Sequence, residues 1–418
     1  MKTLQFAAVV WAYLGFTAFV SSTAAAQSLS ATLAKLNLDA DFVVLARASD
    51  NSEGKMRQDD KSVGFVVEKV LKQPNEHAPG DLKLSNGSRF ATSKDRSEED
   101  VYVVFGKVNE DALVWSTAWG IAQDGMAELM PSMTNSAKGV ERLLGFYPML
   151  TSPARLISRN AQLEFASASQ EDFDALEKLE LNSGAIFVRL RKLWSQHEAF
   201  ADGDKDLASS IRFETKILFA VLAKCGTKQE GQWVGKKLQQ AADSGADRTI
   251  STATLSCYLQ LVGEGGLPLI ENLYLKNTED FAATYKAIVS LRYFVSRKSS
   301  PLSRESLTSA LRMILKKQEL ADLVIMDLAR LQDWESTDRL TAIADNPSVE
   351  NWCRVPVINF LRICPTAKAK QKLNFLREKH SSAYERAKQF YSDATLESMK
   401  NRAVRIRPAR PSGKGFRC

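Results

Sequence analysis

Histidine is scarce in this chain, with three in 418 residues, and this scarcity bears on most kinds of catalytic site. His77, His197 and His380 are far apart and lie in polar contexts. The sequence has no H-E-x-x-H segment and no pair of C-x-x-C segments, so a zinc site is not expected. It also lacks the G-x-S-x-G elbow that presents a nucleophilic serine. We therefore predict no catalytic, metal-binding or cofactor-binding residues, and no cofactor.

Nucleotide-binding and calcium-binding motifs occur only as fragments. The glycine-rich stretch 263–266 follows a predicted helix rather than a strand, and it lacks the third spaced glycine of a dinucleotide fingerprint. The alternating aspartates of 202–206 are spaced like the first ligands of a calcium loop, but Leu207 and Phe213 replace its glycine and its glutamate. The alternatives for this stretch are a calcium loop and a solvated loop between helices, and we expect the solvated loop.

Long apolar runs are confined to the N-terminus. Lys2 precedes the mostly apolar stretch 4–20, and Ala24-Ala25-Ala26 supplies the small-residue pattern that signal peptidase recognises. We predict a signal peptide over 1–26, cleavage before Gln27 and no transmembrane segment after it. The alternative is an uncleaved anchor, because about 17 apolar residues lie at the lower limit of spanning length. The protein is therefore expected to be exported, to the periplasm or outside the cell.

The positive charge is concentrated at the C-terminus. The chain carries +7, yet seven cations lie in 400–418, where there is no acidic residue, and one is Lys2, so that 27–399 sums to −1. Because prolines and glycines accompany these cations, 396–418 is predicted to be a basic disordered tail. The tail is either simply solvated or contacts an anionic polymer or surface, and nucleic acid is not expected. The residues that would make such a contact are Arg402, Arg405, Arg407, Arg410, Lys414 and Arg417.

The cysteine count is odd, at five, in a compartment where disulfides can form. Cys353 and Cys364 are predicted to lie on one helix about 16 Å apart, which is too far for a bond. Cys225 and Cys257 close adjacent predicted hairpins. They either form a bridge or pack as small apolar thiols in helix interfaces. Cys418 is expected to be a solvated thiol.

The N-terminal part alternates short apolar runs with polar, glycine-containing and proline-containing breaks, a pattern typical of strands and turns. A short helix is predicted over 29–36. The predicted strands are 41–48, 62–71, 81–84, 101–107 and 113–118. Because the run 101–107 is apolar on both faces, we expect it to be a central strand. These strands predict a β-rich module over 27–134, folded as a small barrel or sandwich.

From about residue 135 the apolar period is helical. Ser169 lies three residues before Asp172, which predicts a helix cap. In one later helix the leucines and valines of 320–331 form a stripe, with Asp322, Asp327 and Arg330 off it. Five tripeptides end successive helices at steps of 37, 32, 37 and 32 residues: Leu222-Ala-Lys224, Leu259-Gln-Leu261, Leu291-Arg-Tyr293, Leu328-Ala-Arg330 and Phe360-Leu-Arg362. We predict a helical connector over 135–200 and a HEAT-like α-solenoid over 201–395, the alternative being an irregular helical domain.

Two segments of these repeats, 321–334 (ADLVIMDLARLQDW) and 354–365 (RVPVINFLRICP), resemble a family of uncharacterised secreted bacterial proteins with HEAT-like helices. The resemblance extends over most of the mature chain and includes 40–46 (ADFVVLA). That opening is also similar to netrin-like and inhibitor-type OB barrels, whose typical cysteines are absent from this half. The resemblance implies an exported protein with an N-terminal barrel-like module and C-terminal helical repeats, and it supplies no catalytic residues.

The expected fold class is α+β, with the small β-barrel or sandwich followed by the helical solenoid. The first functional hypothesis is an extracytoplasmic binding or scaffolding protein that offers its helical surface to another envelope or extracellular protein or peptide. The second is an extracellular hydrolase that uses carboxylates as acid and base. The third is an inhibitor that acts through the barrel. We prefer the first, because repeats are present and motifs for chemistry are not.

Overall fold

The structure is a computed structural model that describes residues 29, 31–49, 63–74, 83–95, 98–109, 112–199, 205–244, 250–276, 280–297, 299–316, 318–349 and 351–403. The predicted signal peptide lies outside the described residues. The chain divides into two compact units, Met1–Leu218 and Phe219–Cys418. The predicted domain boundaries at 134 and 200 stay predictions.

An antiparallel sheet precedes a mostly helical region, so the α+β class is confirmed. The strands are Phe42–Ala48 (β1), Val63–Lys72 (β2), Arg89–Thr92 (β3), Val101–Asn109 (β4), Ala112–Trp115 (β5) and Trp119–Gly120 (β6). Their order is β3-β2-β1-β4-β5, with β6 also paired to β4. Because β4 has partners on both sides, its predicted central position is confirmed.

Both faces of β1 and β4 are buried, which explains their continuous apolar sequences. Val43 and Leu45 belong to one core cluster, in which Val103 also lies. Val44 and Ala46 belong to a second cluster on the opposite face. The alternation follows from the two-residue period of a strand.

The two edges of the sheet meet, so the sheet is nearly closed into a barrel. The Phe90 ring on β3 stacks on Trp115 on β5, with ring centroids 4.3 Å apart. Just beyond these rings the chain segments run parallel, since the amide of Ala118 donates to the Ser93 carbonyl and the amide of Asp95 donates to the Ala118 carbonyl, both at 2.8 Å. These bonds join edges that are four strands apart in the sheet order.

Leu33, Leu129 and Leu156, from three different helices, join β1 and β4 residues in one core cluster. The described helices of the first unit precede or follow the sheet in the chain. They are Leu33–Asp39 (α1), Met126–Thr134 (α2), Gly139–Phe146 (α3), Arg155–Ser167 (α4), Gln170–Ala175 (α5), Gly184–Ala199 (α6) and, continuing into the second unit, Lys205–Cys225 (α7). The buried Asn160 side chain ties α1 to α4, because its oxygen accepts the Leu33 amide at 2.7 Å. The predicted cap of α5 is confirmed, as Ser169 Oγ accepts the Asp172 amide at 3.1 Å.

Three predictions for this region differ from the structure. Residues 83–84, predicted as strand, form none, and the strand is β3, which follows a turn where Gly87 has φ +90°. Helix α1 begins after the Thr32 cap rather than at residue 29. Helical structure begins at Met126, before residue 135. A Cβ at Gly125 would lie 2.5 Å from the Ala154 Cβ, so only glycine allows this approach of α2 to α4.

The second unit is helical throughout its described residues. Its helices are Lys228–Asp243 (α8), Thr252–Val262 (α9), Leu267–Ile270 (α10, followed by a π-turn at Glu271–Lys276), Phe281–Val295 (α11), Arg304–Ile314 (α12), Gln318–Arg330 (α13), Thr337–Asp345 (α14), Asn351–Ile363 (α15), Ala367–Lys379 (α16), Ser381–Phe390 (α17) and Asp393–Ala403 (α18). Along the part of the chain that is described, no helix is long and apolar enough to cross a membrane.

Alternate helices of this unit contact one another. Helices α9, α11, α13, α15 and α17 form a continuous series of neighbours, which we call the helix row. The intervening helices α12, α14 and α16 each contact members of the row. The glycine-rich stretch 263–266 follows α9, and at Gly263 the chain adopts φ +71°, a left-handed conformation that favours glycine.

Glu264 joins two neighbouring hairpins. Glu264 Oε1 accepts the Ser303 amide at 2.8 Å and so links the turn after α9 to the start of α12. Hydrogen bonds from Ser303 hold the pKa of Glu264 below its ordinary value.

The four described cysteines are thiols. Cys257, Cys353 and Cys364 are buried in helix interfaces, and Cys225 also carries a thiol, so no Cys225–Cys257 disulfide is present.

Candidate functional site

Several helices of the second unit end with a basic residue in the last turn, and four of these residues belong to the series of repeated tripeptides. These four residues are Lys224, Arg292, Arg330 and Arg362. A cation is favoured at this position because the C-terminal carbonyls of a helix carry partial negative charge. The repeat spacing thus places a cation at the C-terminal end of four of the five helices that these tripeptides end.

Two of these cations share one buried carboxylate. Arg292 Nε donates to Asp327 Oδ2 at 2.8 Å, and Arg330 Nη1 donates to Asp327 Oδ1 at 2.6 Å. The Asp327 side chain is 1% exposed, whereas each arginine side chain is about a quarter exposed. Arg292 also donates to the Leu323 carbonyl at 2.6 Å. Helices α11 and α13 are therefore joined by a charged cluster of net charge +1 whose guanidinium groups reach solvent.

Burial and the neighbouring charges act on this cluster in opposite directions. Burial raises the pKa of Asp327 and lowers the pKa of Arg330. Burial disfavours the charge on Arg292, but the adjacent Asp327 outweighs that cost, so the pKa of Arg292 lies above its ordinary value. Tyr391, which follows α17, lies within electrostatic range of both arginines and of Asp327, and burial raises the pKa of its hydroxyl. The cluster therefore spans three members of the helix row, α11, α13 and α17.

Asp322 is the most strongly perturbed carboxyl with a defined value in the described part of the second unit. Burial raises its pKa to about 7, and the charge of Arg292 opposes the shift only in part. Burial, with the nearby Asp322 carboxylate adding to it, raises the pKa of the Cys353 thiol to about 12. A carboxyl that is half protonated near neutral pH is a marker of functional sites, although structural clusters also produce it.

Exposed aromatic side chains lie on α11 beside these charges. Phe281 is 53% exposed and stacks on Tyr285 one turn further, with ring centroids 6.1 Å apart and planes at 10°. Tyr285 also interacts electrostatically with Arg292, so the three side chains follow one stripe of α11. We call the whole set the polar site: Phe281, Tyr285, Arg292, Asp322, Asp327, Arg330 and Tyr391.

A second cluster adjoins the polar site through the neighbouring residue on α11. Lys224 Nζ donates to the Tyr293 hydroxyl at 3.1 Å, and the Arg297 guanidinium lies 5.0 Å from the centre of the same ring. Arg297 also reaches Gln260 on α9, at 3.5 Å. One tyrosine ring is thus held between two cations from α7 and the end of α11. Polar contacts therefore join α11 to α7 and α9 through this cluster and to α13 through the polar site.

The side chains of the tail cations that the sequence singled out lie outside the described part of the structure. Arg402 lies in α18, and its side chain is outside the described residues, as are Arg405, Arg407, Arg410, Lys414 and Arg417. Helix α18 continues to Ala403, so the segment predicted as tail from residue 396 begins in a helix. Leu396 is buried there, which explains why this stretch is ordered.

Metal and histidine chemistry finds little support among the described residues. The aspartates of the calcium-like stretch lie outside them or have undescribed side chains. Within the described ranges, no group of three or more histidine, cysteine, aspartate or glutamate side chains could hold a metal ion. His380 is the one histidine whose side chain is described; burial and the charge of Arg354 lower its pKa, and Asp345 lies 3.8 Å away.

Sequence reasoning placed Asp322, Asp327 and Arg330 off the apolar stripe of α13 and attached no function to them. The structure buries Asp327 because α13 has neighbours in the row on both sides, α11 and α15. A sequence signal was available, since Arg292 and Arg330 occur in corresponding tripeptides with Asp327 just before the second. Comparison of the chain with protein-family models, with curated proteins and with solved structures found no match.

Proposed function

We propose that the chain is an exported binding or scaffolding protein of the periplasm or extracellular space, and that its helical-repeat surface contacts another protein or peptide. The observation that carries the proposal is the polar site. It combines an exposed phenylalanine, stacked tyrosine and two partly exposed guanidinium groups on consecutive members of the helix row. Aromatic residues and arginine are the side chains most enriched where proteins bind one another.

The architecture supports the same proposal. A row of helices in which each member contacts the next is what a HEAT-like solenoid would produce, and such repeats commonly present extended binding surfaces. The polar contacts cross from one row helix to the next rather than staying within a single helix. A partner that lies along the row would therefore meet side chains from several repeats at once.

The sheet would supply a second contact surface as an OB-like barrel. The strand order β3-β2-β1-β4-β5, and the parallel bridge between Lys94 and Ala118 just beyond β3 and β5, support this proposal. OB barrels bind ligands on one face and through adjacent loops. An inhibitor-type module would use the same surfaces.

The test is capture of a partner from the envelope fraction with the purified chain 27–418, followed by repetition with Phe281→Ser and with Tyr285→Ser. We expect each substitution to weaken the captured complex about tenfold or more, as removal of an aromatic hot spot does. Val188→Ser is the matched control, because Val188 is also an exposed apolar side chain on a helix but lies in the first unit.

Two results would contradict the proposal. One is that Val188→Ser weakens the complex as much as Phe281→Ser, which would indicate nonspecific apolar contact. The other is that the polar-site variants leave every captured complex unchanged. Circular dichroism of each variant checks that the helices are intact, which we expect because Phe281 is largely exposed.

A hydrolase is the second candidate, and Asp322 is the observation that favours it. Its pKa of about 7 suits a general acid, and Asp327 on the same helix supplies a second carboxyl that accepts hydrogen bonds from two arginines. If the chain cleaves an extracellular polymer, Asp322→Asn should lower kcat at least about a hundredfold without loss of folding. Equal cleavage of envelope glycans by wild type and Asp322→Asn would remove this candidate.

A further inference from the structure

Three arginines of the first unit share a single carboxylate. Arg155 and Arg159 lie one turn apart on α4, so their side chains are neighbours on one face of that helix. Arg189 on α6 donates to Glu214 on α7, through Nε to Oε1 at 2.6 Å and through Nη2 to Oε2 at 3.1 Å. We call these four residues the arginine site. With three arginines and one glutamate, its net charge is +2.

The guanidinium of Arg159 has buried donors without acceptors. Its Nε and Nη1 atoms are both buried, and neither has a hydrogen-bond partner among the described residues. Glu214 is within electrostatic range of Arg159, but both of its oxygens already accept from Arg189. A buried donor without an acceptor costs free energy, so such a group in a folded protein calls for an explanation, and a bound ion is one of the usual ones.

An aromatic ring fixes the position of this guanidinium. The central carbon of the Arg159 guanidinium lies 3.8 Å from the centre of the Phe213 ring on α7, a cation–π contact. Phe213 itself packs against the core cluster that contains β1 and β4 residues, so its ring is held in place. The ring stabilises the charge of Arg159 but supplies no oxygen acceptor to its N–H groups. An oxyanion would supply those acceptors.

Arg159 remains a cation at neutral pH in spite of its surroundings. Burial and the charge of Arg155 lower its pKa to about 10, and the charge of Glu214 opposes the shift. Because Arg155 and Arg159 repel each other, an anion beside both would relieve the repulsion as well as accept the hydrogen bonds. Arg155 is exposed and Arg159 is only partly buried, so an anion can approach from the solvent side at Arg155.

We propose that Arg155 and Arg159 bind a phosphoryl group. Its oxygens accept hydrogen bonds from the Arg159 guanidinium and pair with Arg155, while Arg189 stays bonded to Glu214. A phosphoryl group carries nearly two negative charges at neutral pH and so matches the +2 of the arginine site, whereas a carboxylate would leave one positive charge uncompensated. All residues of this site belong to the first unit, and the proposal does not depend on the function assigned to the polar site.

The experiment is calorimetric titration of chain 27–418 with inorganic phosphate at about pH 7.5, where phosphate is mostly a dianion. Acetate is titrated for comparison at the same ionic strength. Two charge-assisted contacts predict a dissociation constant of about 1 mM or lower for phosphate, and acetate should bind at least about tenfold more weakly. Equal affinity for the two anions would overturn the proposal, because the site would then not select a dianion.

Two variants test the residues named. Arg155→Gln and Arg159→Gln should each weaken phosphate binding about tenfold or more, since each removes a charged donor. Arg191→Gln is the matched control. Arg191 is exposed on α6 two residues after Arg189, which places it on the far side of that helix, and the change removes the same charge. Weakening by Arg191→Gln as large as by Arg159→Gln would show only general attraction of anions and would overturn the proposal.

Urea unfolding of Arg159→Met separates a ligand site from a cation that only packs on Phe213. Without phosphate we expect the variant to unfold at a higher urea concentration than the wild type, because it removes an uncompensated charge and two unpaired donors. Phosphate should raise the midpoint of the wild type and leave that of the variant unchanged. A wild-type midpoint that phosphate does not raise, or an equal rise in both proteins, would overturn the proposal.

Discussion

The sheet of the first unit and the helix row of the second unit are held by contacts of different range. In the sheet, Val44 pairs with Val104, and the closure joins residues near 93 with residues near 118. In the row, each helix contacts the next member, about one repeat further along the chain. A closed sheet depends on all its pairings at once, whereas a row of repeats is stabilised approximately by a sum of neighbour contacts. The two regions should therefore respond differently to similar damage.

The largest effect is expected for Asp327→Ala. The change leaves two partly buried guanidinium groups without their shared carboxylate, and we expect it to lower the free energy of unfolding by about 4 kcal/mol. If stability is local in the row, hydrogen exchange should accelerate in α11, α13 and α17 and remain unchanged in α8.

The control for this change is Asp338→Ala, which breaks an exposed pair with Lys368 and should cost less than about 1 kcal/mol. Acceleration of exchange in α8 as large as in α13 would mean that the row unfolds as one cooperative block, and the contrast with the sheet would then be lost.

The corresponding change in the sheet is Trp115→Ala, which removes the ring stacked on Phe90 at the closure. We expect the free energy of unfolding to fall by about 3 kcal/mol, because the ring is half-buried and Phe90 loses its stacking partner. In the sheet we expect the effect to extend beyond the mutated strand, so that hydrogen exchange accelerates in β2, β3 and β4 alike. Val114→Ala, at an exposed position of the same strand, should change neither the free energy of unfolding nor the rates of hydrogen exchange appreciably. If hydrogen exchange accelerates in β5 alone, the sheet does not depend on all its pairings at once.

A smaller effect is expected for Gly231→Ala on α8. A Cβ at this position would lie 2.7 Å from the Leu261 Cβ, so α8 and α9 must move apart. We expect a loss of about 2 kcal/mol, measured by urea unfolding. Gly265→Ala is the control, since its Cβ would meet no atom within 4 Å. A stability loss at Gly265 equal to that at Gly231 would show that the helix contact is not the cause.

The smallest effect is a pH dependence due to Asp322. Its pKa is about 7 in the folded chain, against about 3.9 for an ordinary aspartate. Between these values the folded chain holds a proton that the unfolded chain has released, so the free energy of unfolding falls as the pH rises from about 4 to about 7. Burial raises the pKa of Asp327 as well, so Asp322→Asn should reduce this fall rather than abolish it. It should raise the free energy of unfolding by about 1.5 kcal/mol at pH above about 7, less than the full shift implies because the side chain keeps some solvent contact.

The comparison is urea unfolding at several pH values for Asp322→Asn and for Asp338→Asn, an exposed aspartate of α14. In Asp338→Asn the free energy of unfolding should decline with rising pH as it does in the wild type. An unchanged decline in Asp322→Asn would show that another group titrates over this range.

Much of the architecture could be predicted from local patterns, because these patterns report directly on burial. The two-sided apolar run of β4 predicted its central position, and the repeated tripeptides predicted the ends of α9, α11, α13 and α15. β3 was missed, because its sequence Arg89–Thr92 is short and only half-buried, and its pairing depends on β2 rather than on its own pattern.

The polar site was harder to predict for a different reason. Asp327 looks solvent-facing when α13 is considered alone, and it is buried because α11 and α15 pack on either side of α13. Likewise, the pKa of Asp322 is set by burial against other helices, which a one-dimensional pattern does not contain. Contacts between repeats determine the burial and the pKa of these side chains, whereas contacts within a repeat determine where the helices form.

The meeting of the two sheet edges also affects how the protein behaves among copies of itself. An open edge strand offers a row of backbone donors and acceptors to any extended chain, and so can template aggregation. Along 93–95 and at Ala118, the backbone groups that such a chain would need already bond to each other. This part of the rim therefore gives no starting point for strand addition, and the sheet should stay soluble at concentrations where an open sheet of the same apolar content would polymerise.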